Sequence, residues 1–155
     1  MSDITYQRVG GRWSYICVVI DLFGRKLIAW KIGNRADSAL TVDTLTAAMK
    51  ARSFPKNVLF HSDRGVQYTS ADFRKMIDNF DVVQSFSAKG HPYDNAVAES
   101  FFKFLKLEEL NSKSFCSDAE LRLAMTAYAN WYNRERPHSA NMGRSPDETE
   151  DSFDL

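Results

Sequence analysis

Three acidic residues of this 155-residue chain, Asp3, Asp63 and Glu99, stand where their carboxylates can act together. Asp63 lies in His61-Ser62-Asp63-Arg64-Gly65, just past a short β-type run from Val58 to Ser62, at the strand end where open α/β sheets place their ligands. Glu99 falls on a long helix predicted from about Asp94 to Leu110, and Asp3 opens the first predicted strand. A right-handed crossover lays the Val58–Ser62 strand parallel to an earlier one. Placed beside the first strand, it brings Asp3 and Asp63 to neighbouring strand ends, with Glu99 reaching over from its helix. Three such carboxylates repel one another and resist ionisation unless a cation joins them, and their hard oxygens suit Mg²⁺ or Mn²⁺.

Each acid also has an ordinary reading: Asp3 as a frayed end, Asp63 as a turn former before Gly65, and Glu99 as a solvated partner of Lys103 at i,i+4. Lys103 and Lys106 follow Glu99 by four and seven residues and share its helical face. Charge on such a face is ordinarily solvated. Asn95 and Asp94 read as helix caps. His61 and His138 read as structural, Gly65 as a turn residue, and Tyr68 as packing under the site.

The elements that must position these residues follow from local pattern. Asp3 to Val9 has strand composition, Gly10-Gly11 supplies a turn, and Trp13 to Ile20 is a nearly unbroken apolar run suited to a central strand. Lys26 to Ile32 gives a third strand, completing an antiparallel meander. Leu40, Thr44, Leu45, Ala48 and Met49 recur at helical spacing, with Asp37 or Ser38 at the cap and Pro55 closing the segment. Ser70 to Phe80 forms a second helix and Val82 to Ser87 a fifth strand. The link from Ala88 to Pro92 reads as mobile. After the long helix, Ser117 and Glu120 form a capping box for a last one, whose apolar side carries Leu121, Met125, Tyr128, Trp131 and Tyr132. The expected architecture is α/β: a five-stranded mixed sheet, with a three-strand antiparallel meander plus two parallel strands and helices on both faces. Residues 1–146 form one domain, and the acidic stretch 147–155 is expected to fray.

Composition sets the class. At 44% hydrophobic and 13% aromatic, the chain suits one compact domain. Its longest apolar run is far too short for a membrane span. Cys17 and Cys116 stand apart with no C-x-x-C pair, which suggests neither a disulfide framework nor structural zinc and fits a reducing cytoplasm. Net charge is zero, yet five of the 20 acids fall in 147–155 with no base among them, leaving residues 1–146 mildly basic.

Four blocks then carry a resemblance: Asp3-Ile4-Thr5-Tyr6, His61-Ser62-Asp63-Arg64-Gly65, Tyr93-Asp94-Asn95-Ala96-Val97-Ala98-Glu99-Ser100-Phe101-Phe102, and Tyr132-Asn133-Arg134-Glu135-Arg136-Pro137-His138-Ser139. In this order, with 35 residues between Asp63 and Glu99, they resemble the retroviral-integrase-type core of bacterial insertion-sequence transposases, the OrfB-like D-D-E family. The resemblance implies an RNase H-like fold in which Asp3, Asp63 and Glu99 bind two Mg²⁺ ions, with Mn²⁺ as substitute. It further implies DNA cleavage and strand transfer, transposon ends and target DNA as partners, a homo-oligomer when active, no membrane, and DNA contacts by Lys103 and Lys106. Full-length relatives carry an upstream helix-turn-helix region that reads the transposon ends. Here only Met1 and Ser2 precede Asp3, so the chain reads as an excised core or a truncated reading frame. Two rivals share the fold: a silent remnant that associates with full-length transposase, and an RNase H-like nuclease without strand transfer.

Overall fold

The computed structural model describes residues 1–87 and 95–153. The link at 88–92 and the Asp94 cap therefore lie outside the described residues.

Strands β1 (Ser2–Val9), β2 (Arg12–Ile20) and β3 (Leu27–Gly33) form an antiparallel meander in the order β1-β2-β3. Gly10 and Gly11 make its first turn at φ +52° and +82°, the left-handed conformations that a tight two-residue hairpin requires. Gly10 has a second constraint. Its N–H donates to the Phe115 carbonyl at 2.8 Å, and a Cβ there would lie 2.8 Å from the Cys116 carbonyl oxygen. Strands β4 (Leu59–Ser62) and β5 (Val83–Phe86) pair in parallel. Hydrogen bonding thus divides the five strands into groups of three and two, which adjoin where β1 lies beside β4.

The apolar run in β2 is nearly continuous because both of its faces are covered. Ile16, Val18 and Ile20 enter a core with α4 (Ala96–Leu105) and α5 (Asp118–Arg134), while Val19 enters a second core with α1 (Ser38–Ala51) and α3 (Ala71–Asn79). Asp37 caps α1, Ser70 caps α3 and Ser117 caps α5, each through its side chain. The expected box at α5 is displaced by one residue: Glu120 accepts from the Cys116 N–H. A short helix, α2 (Val66–Thr69), follows β4 and was not expected. The long helix predicted to Leu110 is α-helical only to Leu105 and continues as a π-helical turn, Lys106–Leu110.

Of the acidic stretch 147–155 expected to fray, 154–155 lie outside the described residues, and residues 147–151 instead belong to a helix, α6 (Pro146–Asp151). A complete capping box of Ser145 and Glu148, with proline in the first turn, starts it. Lys26 Nζ lies 2.6 Å from Glu150 and 3.0 Å from Asp147, and Arg52 also pairs with Glu150. Phe153 then packs edge-on against Phe23, with ring centroids 4.9 Å apart. Among the described residues, no helix is long and apolar enough to cross a membrane.

Candidate active site

Asp3 sits near the start of β1, opposite Val18 of β2, and is half-buried. Its Oδ1 accepts the Ile4 N–H at 2.7 Å and its Oδ2 accepts Asn95 Nδ2–H at 2.9 Å. Burial pushes the Asp3 carboxyl above its ordinary pKa, the two hydrogen bonds draw it back, and the charges of Asp63 and Glu99 push it further up.

Asp63 follows the last residue of β4. Its Oδ1 accepts the Gly65 N–H at 2.9 Å, a local turn that fixes the carboxylate at the strand end. Glu99 stands exposed in the first turn of α4. Among the described residues, no group of three or more His, Cys, Asp or Glu side chains is gathered closely enough to hold a metal ion. Asp3 and Asp63 are each turned toward nearby N–H donors, and Glu99 faces outward.

Beneath the acids, Tyr68 of α2 is fully buried, and its hydroxyl lies 2.8 Å from Ser2 Oγ, the neighbour of Asp3. Cys17 Sγ completes this network, 3.6 Å from Ser2 Oγ and 3.9 Å from the Tyr68 hydroxyl. The tyrosine ring packs on Phe60 and Phe73. The segment that follows Asp63 is thus tied to the strand that carries Asp3. Burial also raises the Cys17 pKa, which keeps the thiol protonated and unreactive.

Residues 1–92 match the model of the integrase core domain family, and a second integrase core domain model matches residues 81–146. The chain belongs to the integrase core domain family. Over 150 residues it is 42% identical to the transposase InsF for insertion sequence IS3A of Escherichia coli (strain K12), covering 96% of this chain and 52% of that protein. The chain spans about half the length of the curated relatives it matches. In fold it is similar to a chain of the simian T-cell lymphotropic virus intasome in complex with PP2A regulatory subunit B56 gamma. That match has a TM-score of 0.79 at 14% identity, over 96% of this chain and 52% of that one. It is also similar to the HTLV-2 integrase catalytic core domain in complex with magnesium (trimeric form), with a TM-score of 0.70 at 15% identity, over 96% and 92% of the two chains. The fold is accordingly RNase H-like, as in retroviral integrase cores.

Within this integrase core the other candidates fall into place. Lys106 opens the π-helical turn, and its Nζ lies 4.9 Å from the centre of the Tyr6 ring. Lys103, in the last turn of α4, enters no salt bridge among the described residues, so the i,i+4 pairing with Glu99 does not form. His61 is held between Ser85 and Ser87 at 3.1 Å each, a strand-pairing role. His138 is buried edge-on to Tyr132 with its pKa lowered, by burial first and then by Arg136. Arg136 itself is bonded to Glu108 and lies over Phe104, and Tyr128 and Tyr132 are core residues. Asn95 does not cap α4: its side chain makes no cap bond and goes to Asp3. Its place immediately before the helix that carries Glu99 was the available signal.

Proposed function

We propose that this integrase core carries out Mg²⁺-dependent phosphodiester cleavage and strand transfer in DNA transposition, with Asp3, Asp63 and Glu99 as its metal ligands and catalytic residues. The observation that carries the reading is geometric: Asp3 lies on β1 beside β4, whose end carries Asp63, and Asp3 is hydrogen-bonded to Asn95 at the start of the helix that carries Glu99. The donor set fits a hard cation. All three groups offer carboxylate oxygen, and their mutual repulsion disfavours ionisation together without a counter-charge. The 42% identity to an insertion-sequence transposase supports the same substrate class.

In this reading Asp3 and Asp63 present oxygens from adjoining strands, and exposed Glu99 completes the set from α4. Two Mg²⁺ ions, replaceable by Mn²⁺, would there supply Lewis-acid stabilisation of charge on the attacking and leaving oxygens. Water cleaves the phosphodiester to leave a 3′-OH, which then attacks a target strand in line. Lys103 and Lys106, following Glu99 along its helix, contact DNA phosphates and position the strands without reading sequence. The partners are transposon-end and target DNA, and the active form is a homo-oligomer in the bacterial cytoplasm.

The test is incubation of pre-cleaved oligonucleotide ends with the protein and Mg²⁺ or Mn²⁺, comparing wild type with Glu99→Gln. Joined strands from wild type alone are the expected product. Nicks without joining would make the protein a nuclease, and the absence of any metal-dependent product would make it a silent remnant.

A further inference from the structure

Asn95 occupies the N-cap position of α4, where asparagine is favoured because its side chain can accept a first-turn N–H. It makes no such bond. Its Nδ2 instead donates to Asp3 Oδ2 at 2.9 Å, from the helix to a strand 92 residues away in sequence. Among the described residues, its Oδ1 is left buried without a hydrogen-bond partner. An unmade cap and an unpaired carbonyl oxygen both cost stability, so helix formation alone does not select this arrangement.

We propose that Asn95 is a positioning residue for the metal site: from the start of the helix that carries Glu99, its amide orients the Asp3 carboxylate. The inference rests on the reading of the three acids as metal ligands. Asn95 immediately precedes α4, and Glu99 stands in that helix's first turn. The bond from Asn95 to Asp3 therefore ties the start of α4 to the strand that carries Asp3. An amide N–H takes one lone-pair position on Oδ2 and leaves the others free for a cation. Being neutral, it orients the carboxylate without supplying the counter-charge that a lysine or arginine would. Groups that hold a metal ligand in this way change metal affinity about 10- to 100-fold when removed.

Serine separates this role from capping, because it caps a helix as well as asparagine does but is too short to reach Asp3. The experiment titrates Mn²⁺ into the full chain with a duplex oligonucleotide present, following free Mn²⁺ by electron paramagnetic resonance, for wild type, Asn95→Ser and Asn95→Ala. The expected result is at least about a tenfold loss of Mn²⁺ affinity in both variants, with Asn95→Ser melting no lower than Asn95→Ala. In the metal-free protein, urea unfolding of Asn95→Ser, Asp3→Ala and the double variant should show coupling of about tenfold in the folding equilibrium. Wild-type Mn²⁺ affinity in Asn95→Ser, or strictly additive unfolding, would overturn the inference. A wild-type protein that binds no Mn²⁺ would instead overturn the metal reading on which it rests.

Discussion

Replacing Tyr68 with phenylalanine removes a single oxygen from a fully buried ring and leaves its packing on Phe60 and Phe73 in place. The lost contacts are the 2.8 Å bond to Ser2 Oγ and the weak 3.9 Å one to Cys17 Sγ, and Ser2 is itself only 2% exposed. What remains for the serine hydroxyl is the Cys17 sulfur at 3.6 Å, a weak partner. A buried hydroxyl stripped of its good partner costs about 1 to 2 kcal/mol. For a protein of this size each kcal/mol moves the melting temperature by roughly 2 to 4 °C, so Tyr68→Phe should melt about 2 to 8 °C lower. Calorimetry measures this directly, and the double variant with Ser2→Ala checks the cause. Removing both partners leaves nothing stranded, so adding Ser2→Ala to Tyr68→Phe should recover much of the loss. An unchanged melting temperature in Tyr68→Phe, or further loss in the double variant, would refute the role given to this bond.

Gly10→Ala forces a side chain into a left-handed residue and against the Cys116 carbonyl, and should cost about 2 to 4 kcal/mol; wild-type stability in urea would show that the turn yields freely. Burial pushes the Glu150 carboxyl up, but the bonds from Arg52 and Lys26 outweigh it, so its folded pKa lies below the ordinary 4.5. The stability it contributes is present above that value and lost as pH falls through the folded pKa. Glu150→Gln should therefore lower stability near neutral pH by about 0.5 to 1 kcal/mol and flatten the acid limb of a pH–melting curve; parallel curves would contradict this. Lys106→Ala should weaken DNA binding uniformly across sequences and reduce the slope of log K against log salt by about one phosphate contact. Identical salt titrations would instead leave Lys106 as a cation packed over the Tyr6 ring and no DNA contact.

Elements governed by near neighbours were legible in the sequence. Ser117 is the cap that its sequence predicts for α5, Asp37 is one of the two candidates offered for α1, and the apolar β2 run reads as the central strand it forms. The position of Asp63 at a strand end followed from the same local reading. What escaped depends on partners distant in the chain. The last helix is held by Lys26 and Arg52, which lie about a hundred residues or more before it, so its acids looked merely solvated. Asn95 looked like a cap because capping is the local option, whereas its partner is Asp3. The turn to π-helix at Lys106 has no proline or glycine to announce it.

The central claim is that the three acids form one metal site, and Asp63→Asn tests it most directly. An asparagine Oδ1 can still accept the Gly65 N–H, so the turn survives, while one of the charges acting on Asp3 is removed. Because the Asp3 pKa is raised in the folded protein, its ionised form costs stability above that pKa, and lifting part of the repulsion returns some of it. Melting temperature and strand-transfer product are to be measured on the same preparations at neutral pH with Mg²⁺ and with Mn²⁺. The prediction is that Asp63→Asn melts at or above the wild-type temperature without metal and yields no joined strands with either ion. Joined product at the wild-type rate from a well-folded Asp63→Asn protein would contradict the account.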